Sequence, residues 1–196
     1  MKLEKYVIVV IELFLLIVMT ISISFAAFDN IFYKRKINTK ATITEIYNEG
    51  SNKLTITDSY PLSDIEGINS NRSENVLNFT LDINMDKNHF IEYILYLTKG
   101  YNSTINDKDV NIYLEKSLDN INYYKVMDIS PYKTNNIFGN FKINKNNMIL
   151  EDSKEYSNKT YYYRLKIWPK LNSYKTNKIK YFTVSVNMKA KDYLKS

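Results

Sequence analysis

Alternating apolar and polar residues predict an all-β fold: an antiparallel β-sandwich, immunoglobulin-like or jelly-roll, preceded by one N-terminal helix. Segments with this period of two recur along the chain, and no segment after residue 40 shows sustained helical periodicity. Turn-forming residues separate the segments at spacings near those of a sandwich. The chain has 196 residues, so the part after a hydrophobic N-terminus is long enough for one domain with its own core.

The clearest predicted strands have one apolar and one polar face, as expected when one face of an antiparallel sheet covers a core. They are residues 77–85, 110–115 and 182–188. Less regular candidates are residues 53–57, 90–98, 121–127, 137–143, 148–150 and 160–168, with 90–98 apolar enough for a central strand. The polar stretch 58–74 predicts a loop, and residues 144–147 predict a turn.

The N-terminal segment predicts membrane targeting. Residues 6–28 carry no charge except Glu12, and as a helix they would extend about 34 Å, enough for a bilayer core of ~30 Å. The predicted organisation is therefore residues 1–28 as anchor or signal peptide, 29–40 as a juxtamembrane segment, and 41–196 as an extracytoplasmic sandwich.

Two fates of this helix are open. It stays as a single-pass anchor, or a signal peptidase cleaves after Ala26, where small residues occupy the recognised positions, and the protein is secreted. Three basic residues follow the helix, Lys34, Arg35 and Lys36, and two precede it, Lys2 and Lys5. Because the side with more basic residues usually stays in the cytoplasm, this count alone would place the C-terminal part there. The spacer between Phe28 and Lys34 and the possible cleavage site lead us to expect export instead.

Glu12 is unusual, because a carboxylate inside a bilayer costs about 2.5 kcal/mol or more and often marks function. Type IV pilins carry a glutamate near the start of their hydrophobic helix, and Ile11, Glu12 and Leu13 are similar to that core. Val7 stands where the pilin leader has its glycine. A pilin-like subunit is thus an alternative.

Charge is unevenly distributed. Of the net +6, the segment from Lys159 onward contains ten Lys or Arg and one acidic residue, Asp192. One interpretation is a contiguous basic face for an anionic polymer. The other is that lysines cover the solvent side of strands and protect sheet edges. Arg164, Lys166, Trp168 and Lys170 are the candidate binding face, although aromatic residues on alternating strands also serve packing.

Few residues suit catalysis or metal binding. The chain has no cysteine, which excludes thiolate sites. Its one histidine, His89, is predicted to be an exposed loop residue. Asp82, Asn84 and Asp86 have the spacing of half a calcium loop but lack its glycine and glutamate. Asp58, Asp64 and Glu66 are an equally weak cation candidate. We therefore predict no enzyme, no cofactor and no metal site.

The order of several short motifs resembles a known group. The patch 24–28 (SFAAF), the loop 58–67 (DSYPLSDIEG), the strand pair 78–80 and 91–94, and the segment 163–168 (YRLKIW) are similar to single-helix exported proteins of Firmicutes, distantly the TasA/camelysin group of biofilm-matrix proteins. The resemblance implies a β-sandwich that forms extracellular fibres by donating a strand between subunits. Residues 29–47 would be the exchanging strand. It implies no catalytic residues.

Three functions follow from these patterns. The first is a non-catalytic structural or adhesive surface protein that associates with itself or an envelope protein through a sheet edge. The second is a membrane-anchored ectodomain that binds an anionic or sugar polymer of the envelope, and the third is the pilin-like subunit. The membrane is the expected partner of residues 6–28, and no nucleic-acid partner is expected.

Overall fold

The computed structural model describes residues 41–47, 51–138, 141–171 and 178–195. Within these ranges no helix is long and apolar enough to cross a membrane. The hydrophobic segment 6–28, the cleavage site at Ala26 and the pilin-like Glu12 lie outside the described residues.

Two five-stranded sheets make up the described domain, and all neighbouring strands are antiparallel. The first sheet contains, in spatial order, β1 (Ala41–Tyr47), β3 (Val76–Met85), β9 (Lys159–Pro169), β5 (Val110–Ser117) and β6 (Tyr124–Pro131). The second contains β2 (Lys53–Thr57), β10 (Tyr181–Leu194), β4 (His89–Lys99), β8 (Phe141–Glu155) and β7 (Asn135–Phe138). This arrangement confirms the predicted β-sandwich.

The strand order also distinguishes between the two predicted kinds of sandwich. The chain passes to the other sheet at most connections, so that β2-β10-β4-β8 faces β3-β9-β5-β6. This pairing of two four-stranded sheets is the jelly-roll arrangement. β1 adds an edge strand beside β3, and β7 adds one beside β8.

One hydrophobic core lies between the sheets, and it follows from the alternation. On β3 the inward residues Leu77, Phe79, Leu81 and Ile83 are buried, and Ile112 and Leu114 of β5 continue the same layer. Val184 and Val186 of β10 contribute from the opposite sheet. At about 25 cal/mol per Å² of buried apolar surface, this layer is the main favourable contribution to folding.

A short helix, α1 (Asp64–Asn69), lies in the stretch predicted to be a loop. Ser63 caps it: its hydroxyl accepts from the Glu66 backbone N–H, and the Glu66 carboxylate accepts from the Ser63 N–H at 2.8 Å. The Ser63 hydroxyl also donates to the Glu66 carboxylate, and this bond, together with the one from the Ser63 N–H, lowers the pKa of Glu66. Six residues are too few to show helical periodicity, but this Ser-x-x-Glu capping box is visible in the sequence.

Three other local predictions were wrong. Residues 144–147 do not form a turn but lie inside the 15-residue strand β8. The candidate strand 137–143 is instead the end of β7 and the start of β8, paired at Phe138 and Phe141. β6 begins at Tyr124, because Asp119 organises residues 119–122 as a turn by accepting hydrogen bonds from the Ile121 and Asn122 N–H groups.

A polar network joins the two sheets inside the sandwich. The Lys116 ammonium on β5 lies 2.5 Å from the Glu151 carboxylate on β8, and both side chains are largely buried. The Tyr163 hydroxyl donates to Glu151 at 2.8 Å and lies 3.2 Å from the Tyr93 hydroxyl. Burial, reinforced by the neighbouring Glu151 charge, raises the pKa of Tyr163. The tyrosines therefore stay neutral hydrogen-bonding groups around the ion pair.

The two ends of the sandwich differ. β1 starts at Ala41 opposite Met85, the last residue of β3, and β10 finishes at Leu194 opposite His89. The end of β2, the start of β3 and the end of β9 lie at the other end, where Thr57 pairs with Tyr181 and Val76 with Lys166. We call these the entry end and the loop end. α1 belongs to the loop end.

Candidate ligand-binding site

A cleft of about 520 Å³ opens at the loop end. Its apolar floor consists of Ile56 at the end of β2, Leu62 before α1, and Pro169 at the end of β9. Tyr60 stands at its side with 72% of its surface exposed. A concave apolar surface with an accessible aromatic ring is typical of binding sites for small molecules and polymers.

The loop that carries Tyr60 is fixed on both sides. The Asp58 N–H donates to the Lys180 carbonyl at 3.1 Å, and the Lys180 N–H donates back to the Asp58 carboxylate at 2.8 Å. On the other side the Leu62 N–H donates to the Pro169 carbonyl at 3.0 Å. The sequence between these anchors, Ser-Tyr-Pro, is short. The position of Tyr60 is therefore set by its neighbours before any ligand arrives.

Polar groups from the segment between α1 and β3 also line the cleft. Arg72, Ser73 and Glu74 are exposed, and Asn75 is buried. The Asn75 and Val76 N–H groups both donate to the Arg72 carbonyl, which fixes this segment as a tight turn. The Ser70 hydroxyl donates to the Asn75 amide oxygen at 2.9 Å and thereby orients the amide.

These polar groups are available to a ligand. In the part of the chain that the structure describes, the side chains of Tyr60, Arg72 and Glu74 make no hydrogen bond or ion pair. The Asn75 amide nitrogen likewise has no acceptor among the described residues. The cleft thus presents hydrogen-bond donors, one carboxylate and an aromatic face around an apolar floor.

The predicted binding face on β9 does not form. Trp168 is 0% exposed, because α1 covers it and Gly67 lies directly against its indole ring. Lys166 is also buried: its ammonium donates to the Ile68 carbonyl at 2.5 Å and pairs with Glu115 at 3.0 Å. A helix that the sequence analysis missed therefore covers two of the four predicted residues.

The other two residues remain partly accessible but lie apart. The Arg164 guanidinium, at the middle of β9, stacks on Tyr123, 3.7 Å from the ring centroid. Lys170 lies beyond the last residue of β9, next to Leu171 at the loop end. The structure thus brings Lys170, but not Arg164, to the neighbourhood of the cleft.

The basic segment after Lys159 does not form one contiguous face. β9 belongs to the first sheet and β10 to the second. Arg164 therefore lies on the outer side of one sheet, whereas Lys189 and Lys191 lie on the outer side of the other. The Lys191 ammonium lies 5.2 Å from the centroid of the Phe141 ring on β8 and so packs against its own sheet. The contiguous-face interpretation was wrong, because strand alternation between sheets separates residues that are near in sequence.

The cation candidates are engaged in local hydrogen bonds. The Asp82 carboxylate accepts from the Thr160 hydroxyl at 2.7 Å, whereas Asn84 and Asp86 are exposed at the end of β3. Asp64 accepts from the Asn111 amide, and Glu66 caps α1. Across the described ranges, no three Asp, Glu or His residues are grouped so as to hold a metal ion.

His89 is not the exposed loop residue that the sequence predicted. It is buried at the start of β4, and its Nδ1 lies 2.8 Å from the Asp192 carboxylate on β10. The prediction failed because the partner is 103 residues away in sequence. This pair lies at the entry end, far from the cleft.

Comparisons with known proteins give no family. No protein-family model matches the sequence, and no curated protein matches it significantly. Among solved structures, the VP2 subviral particle of infectious bursal disease virus is similar with a TM-score of 0.38 and 9% identity, over 76% of this chain and 32% of that one. This chain thus spans about a third of the length of the viral protein.

Two carbohydrate-binding modules are also structurally similar. CBM32-3 from a family 31 glycoside hydrolase of Clostridium perfringens has a TM-score of 0.27 and 16% identity, over 72% of this chain and 96% of that one. TmCBM61, solved with β-1,4-galactotriose, has a TM-score of 0.24 and 8% identity, over 76% and 88%. At such low TM-scores these similarities carry no argument about ligands or topology.

Proposed function

We propose that this chain is a non-catalytic cell-surface protein that binds a carbohydrate polymer of the envelope in the cleft at the loop end. One observation carries the proposal. An exposed tyrosine and apolar residues line the same cleft as Arg72 and Glu74, whose side chains have no hydrogen-bonding partner among the described residues. This corresponds to the ectodomain predicted from the sequence, with a different set of contact residues.

The chemistry of the cleft suits a sugar ring. A pyranose has a face of C–H groups that packs on an aromatic ring such as Tyr60. Its hydroxyl groups both donate and accept, so Arg72, Asn75 and Glu74 can satisfy them together. Hydrogen bonds to the charged members of this set are stronger than those between neutral groups.

The arrangement argues against glycoside hydrolysis at this cleft. That reaction commonly needs two carboxyl groups on opposite sides of the scissile bond. Glu74 is the single carboxylate among the described lining residues, and a lone exposed glutamate is poorly suited to act as both acid and base. Binding without turnover is the function that these residues support.

The position of the cleft supports a role at the surface. β1 begins at Ala41 at the entry end, which is the end that follows the hydrophobic segment 6–28 in sequence. The cleft lies at the opposite end of the same domain. We therefore propose that residues 6–28 anchor the chain and that the cleft faces the envelope.

The test is binding of the full-length chain to isolated envelope polysaccharide, measured by isothermal titration calorimetry. Tyr60→Ala should weaken binding about tenfold or more, because truncating a central aromatic contact commonly costs over 1 kcal/mol. Tyr101→Ala is the matched control, since Tyr101 is 96% exposed at the same end but lines a different cleft. Equal binding by both variants, or no binding by the unmodified chain, would contradict the proposal.

Strand-mediated self-assembly is a second candidate, favoured by the position of β1. Along its seven residues β1 pairs with β3, and its other edge forms the border of the first sheet. The resemblance to TasA-like proteins implied exchange of this strand. A Thr42→Cys, Asn84→Cys variant tests it, because these two positions are register partners. Exchange predicts disulfide-linked multimers, and an intramolecular disulfide alone would rule it out.

A further inference from the structure

A second concave surface of about 430 Å³ adjoins the cleft at the loop end. We call it the apolar hollow, and it is formed around Leu62, Ile65 and Leu171. Leu62 lines both the cleft and the hollow. Pro169 lies in the cleft and Lys170 in the hollow, so the two surfaces are continuous along the chain at this point.

The hollow differs chemically from the cleft, because its polar groups already have partners. The Asn111 amide donates to the Asp64 carboxylate at 2.7 Å. The Ser63 hydroxyl is bonded to Glu66 at 2.7 Å, and the Lys170 N–H donates to the Asp109 carbonyl at 2.9 Å. Most of the surface that the hollow offers to a ligand is therefore aliphatic.

This aliphatic surface is unusually accessible. Ile65 on α1 is 75% exposed, and Leu171 is 59% exposed. The capping box fixes α1, and Trp168 beneath Gly67 prevents the helix from sinking further onto the sheet. Ile65 therefore cannot be buried by a small movement of its own helix. Covering both side chains with an apolar group of a ligand would be favourable in proportion to the area removed from water.

A ligand that lies across both surfaces needs hydroxyl groups at the cleft and a small apolar group beside them. We propose that the bound polymer contains N-acetylated hexosamine units, whose acetamido methyl groups pack against Ile65 and Leu171 while a neighbouring ring lies on Tyr60. This inference rests on the proposed function and specifies its substrate class. A polymer of unsubstituted hexoses offers only hydroxyl groups to the hollow, where the described side chains of Ser63, Asp64 and Asn111 are already hydrogen-bonded within the protein.

The test compares two ligands that differ at one position. The β-1,4-linked hexamers of N-acetylglucosamine and of glucose share linkage and length, and differ in the group on C2. Titration of the full-length chain should show at least about tenfold tighter binding of the acetylated hexamer, equivalent to about 1.4 kcal/mol. An Ile65→Ser, Leu171→Ser double variant should bind the two hexamers with similar affinity.

The control variant is Ile121→Ser, because Ile121 is 78% exposed, like Ile65, but lies in the β5–β6 connection at the entry end. It should keep the full preference. Equal binding of the two hexamers by the unmodified chain, binding of neither, or an unchanged preference in the double variant would each overturn the inference. The proposed function is judged separately, by the envelope polysaccharide and the Tyr60 variant, so it can stand when this inference fails.

Discussion

Gly67 shows how one small residue positions the loop end. A Cβ atom at this position would lie 2.3 Å from two carbons of the Trp168 indole, closer than non-bonded carbons approach. The helix can pack on the tryptophan because residue 67 has no side chain. The same contact buries Trp168 and, through the Ile68 carbonyl, completes the surroundings of Lys166.

We expect Gly67→Ala to lower the free energy of unfolding by about 1–3 kcal/mol, as overpacking of a filled core does. Urea denaturation of the full-length chain followed by tryptophan fluorescence would measure this, because Trp168 is the single tryptophan. Gly100→Ala is the control: its Cβ would lie 3.1 Å from the Thr183 side chain, a contact that a small shift relieves. Equal losses of unfolding free energy in the two variants would show that the close approach of Gly67 to Trp168 does not determine the effect.

The cleft residues were not identifiable from the sequence, for a physical reason that Asn75 illustrates. Asn75 reaches the cleft because Ser70 orients its side-chain amide and its backbone carbonyl accepts from the Ile167 N–H. Ile167 is 92 residues further along the chain. Sequence reasoning favoured Trp168 and Lys166 because aromatic and basic residues dominate binding surfaces. The sequence pattern alone does not show that a short helix covers these two residues. The sequence signal for the cleft was Tyr60, an aromatic residue within the polar stretch 58–74.

At the level of elements, alternation predicted the strands whose two faces differ most. β3, β5 and β10 each carry apolar residues toward the core and polar residues outward, and Lys53–Thr57 was predicted with the observed bounds of β2. Apolar residues on both faces made 90–98 a central strand, and β4 does lie between β10 and β8. β8 was missed as one strand because its polar segment around 144–147 looks like a turn, although β7 pairs with β8 on both sides of it, at Lys142 and at Asn147.

The Lys116–Glu151 pair joins β5 to β8. Its contribution to stability can be separated from the cost of leaving one buried charge without a partner. Lys116→Met leaves the buried Glu151 carboxylate with the Tyr163 hydroxyl as its hydrogen-bond donor and no cation, so we expect a loss of about 3–5 kcal/mol in unfolding free energy. A Lys116→Met, Glu151→Leu double variant should recover most of this loss, since no isolated charge remains. Chemical denaturation at neutral pH measures all three proteins.

Lys125→Met provides the control for this pair. Lys125 and Asp128 form an ion pair of 2.8 Å with both side chains mostly exposed, and water screens such a pair. Its removal should leave the unfolding midpoint nearly unchanged. If Lys116→Met proves equally mild, the network between the sheets is not a structural requirement.

At the scale of the molecule, the jelly-roll order places the ligand cleft and the start of β1 at opposite ends of one domain. The absence of cysteine allows a direct test of the proposed surface location. An Ile65→Cys variant should react with a membrane-impermeant maleimide on intact cells of the native host. A Lys2→Cys variant should react only after lysis if the N-terminal helix is retained as an anchor.

Reaction of the Ile65→Cys variant only after lysis would contradict export. Intact mass of the labelled protein distinguishes the two fates of the helix, because cleavage after Ala26 removes the first 26 residues. Recovery of the shortened form from the medium would favour a secreted subunit, and the full chain in the membrane fraction would favour the anchored form.

The antiparallel register of β1 against β3 also has a mechanical consequence. A load between a polymer held at the loop end and the chain upstream of Ala41 would run parallel to the strands. Pulling along this axis slides β1 past β3, so the interstrand hydrogen bonds from Ala41↔Met85 to Tyr47↔Phe79 are strained together and do not open one after another. A domain connected in this way would resist tension in shear.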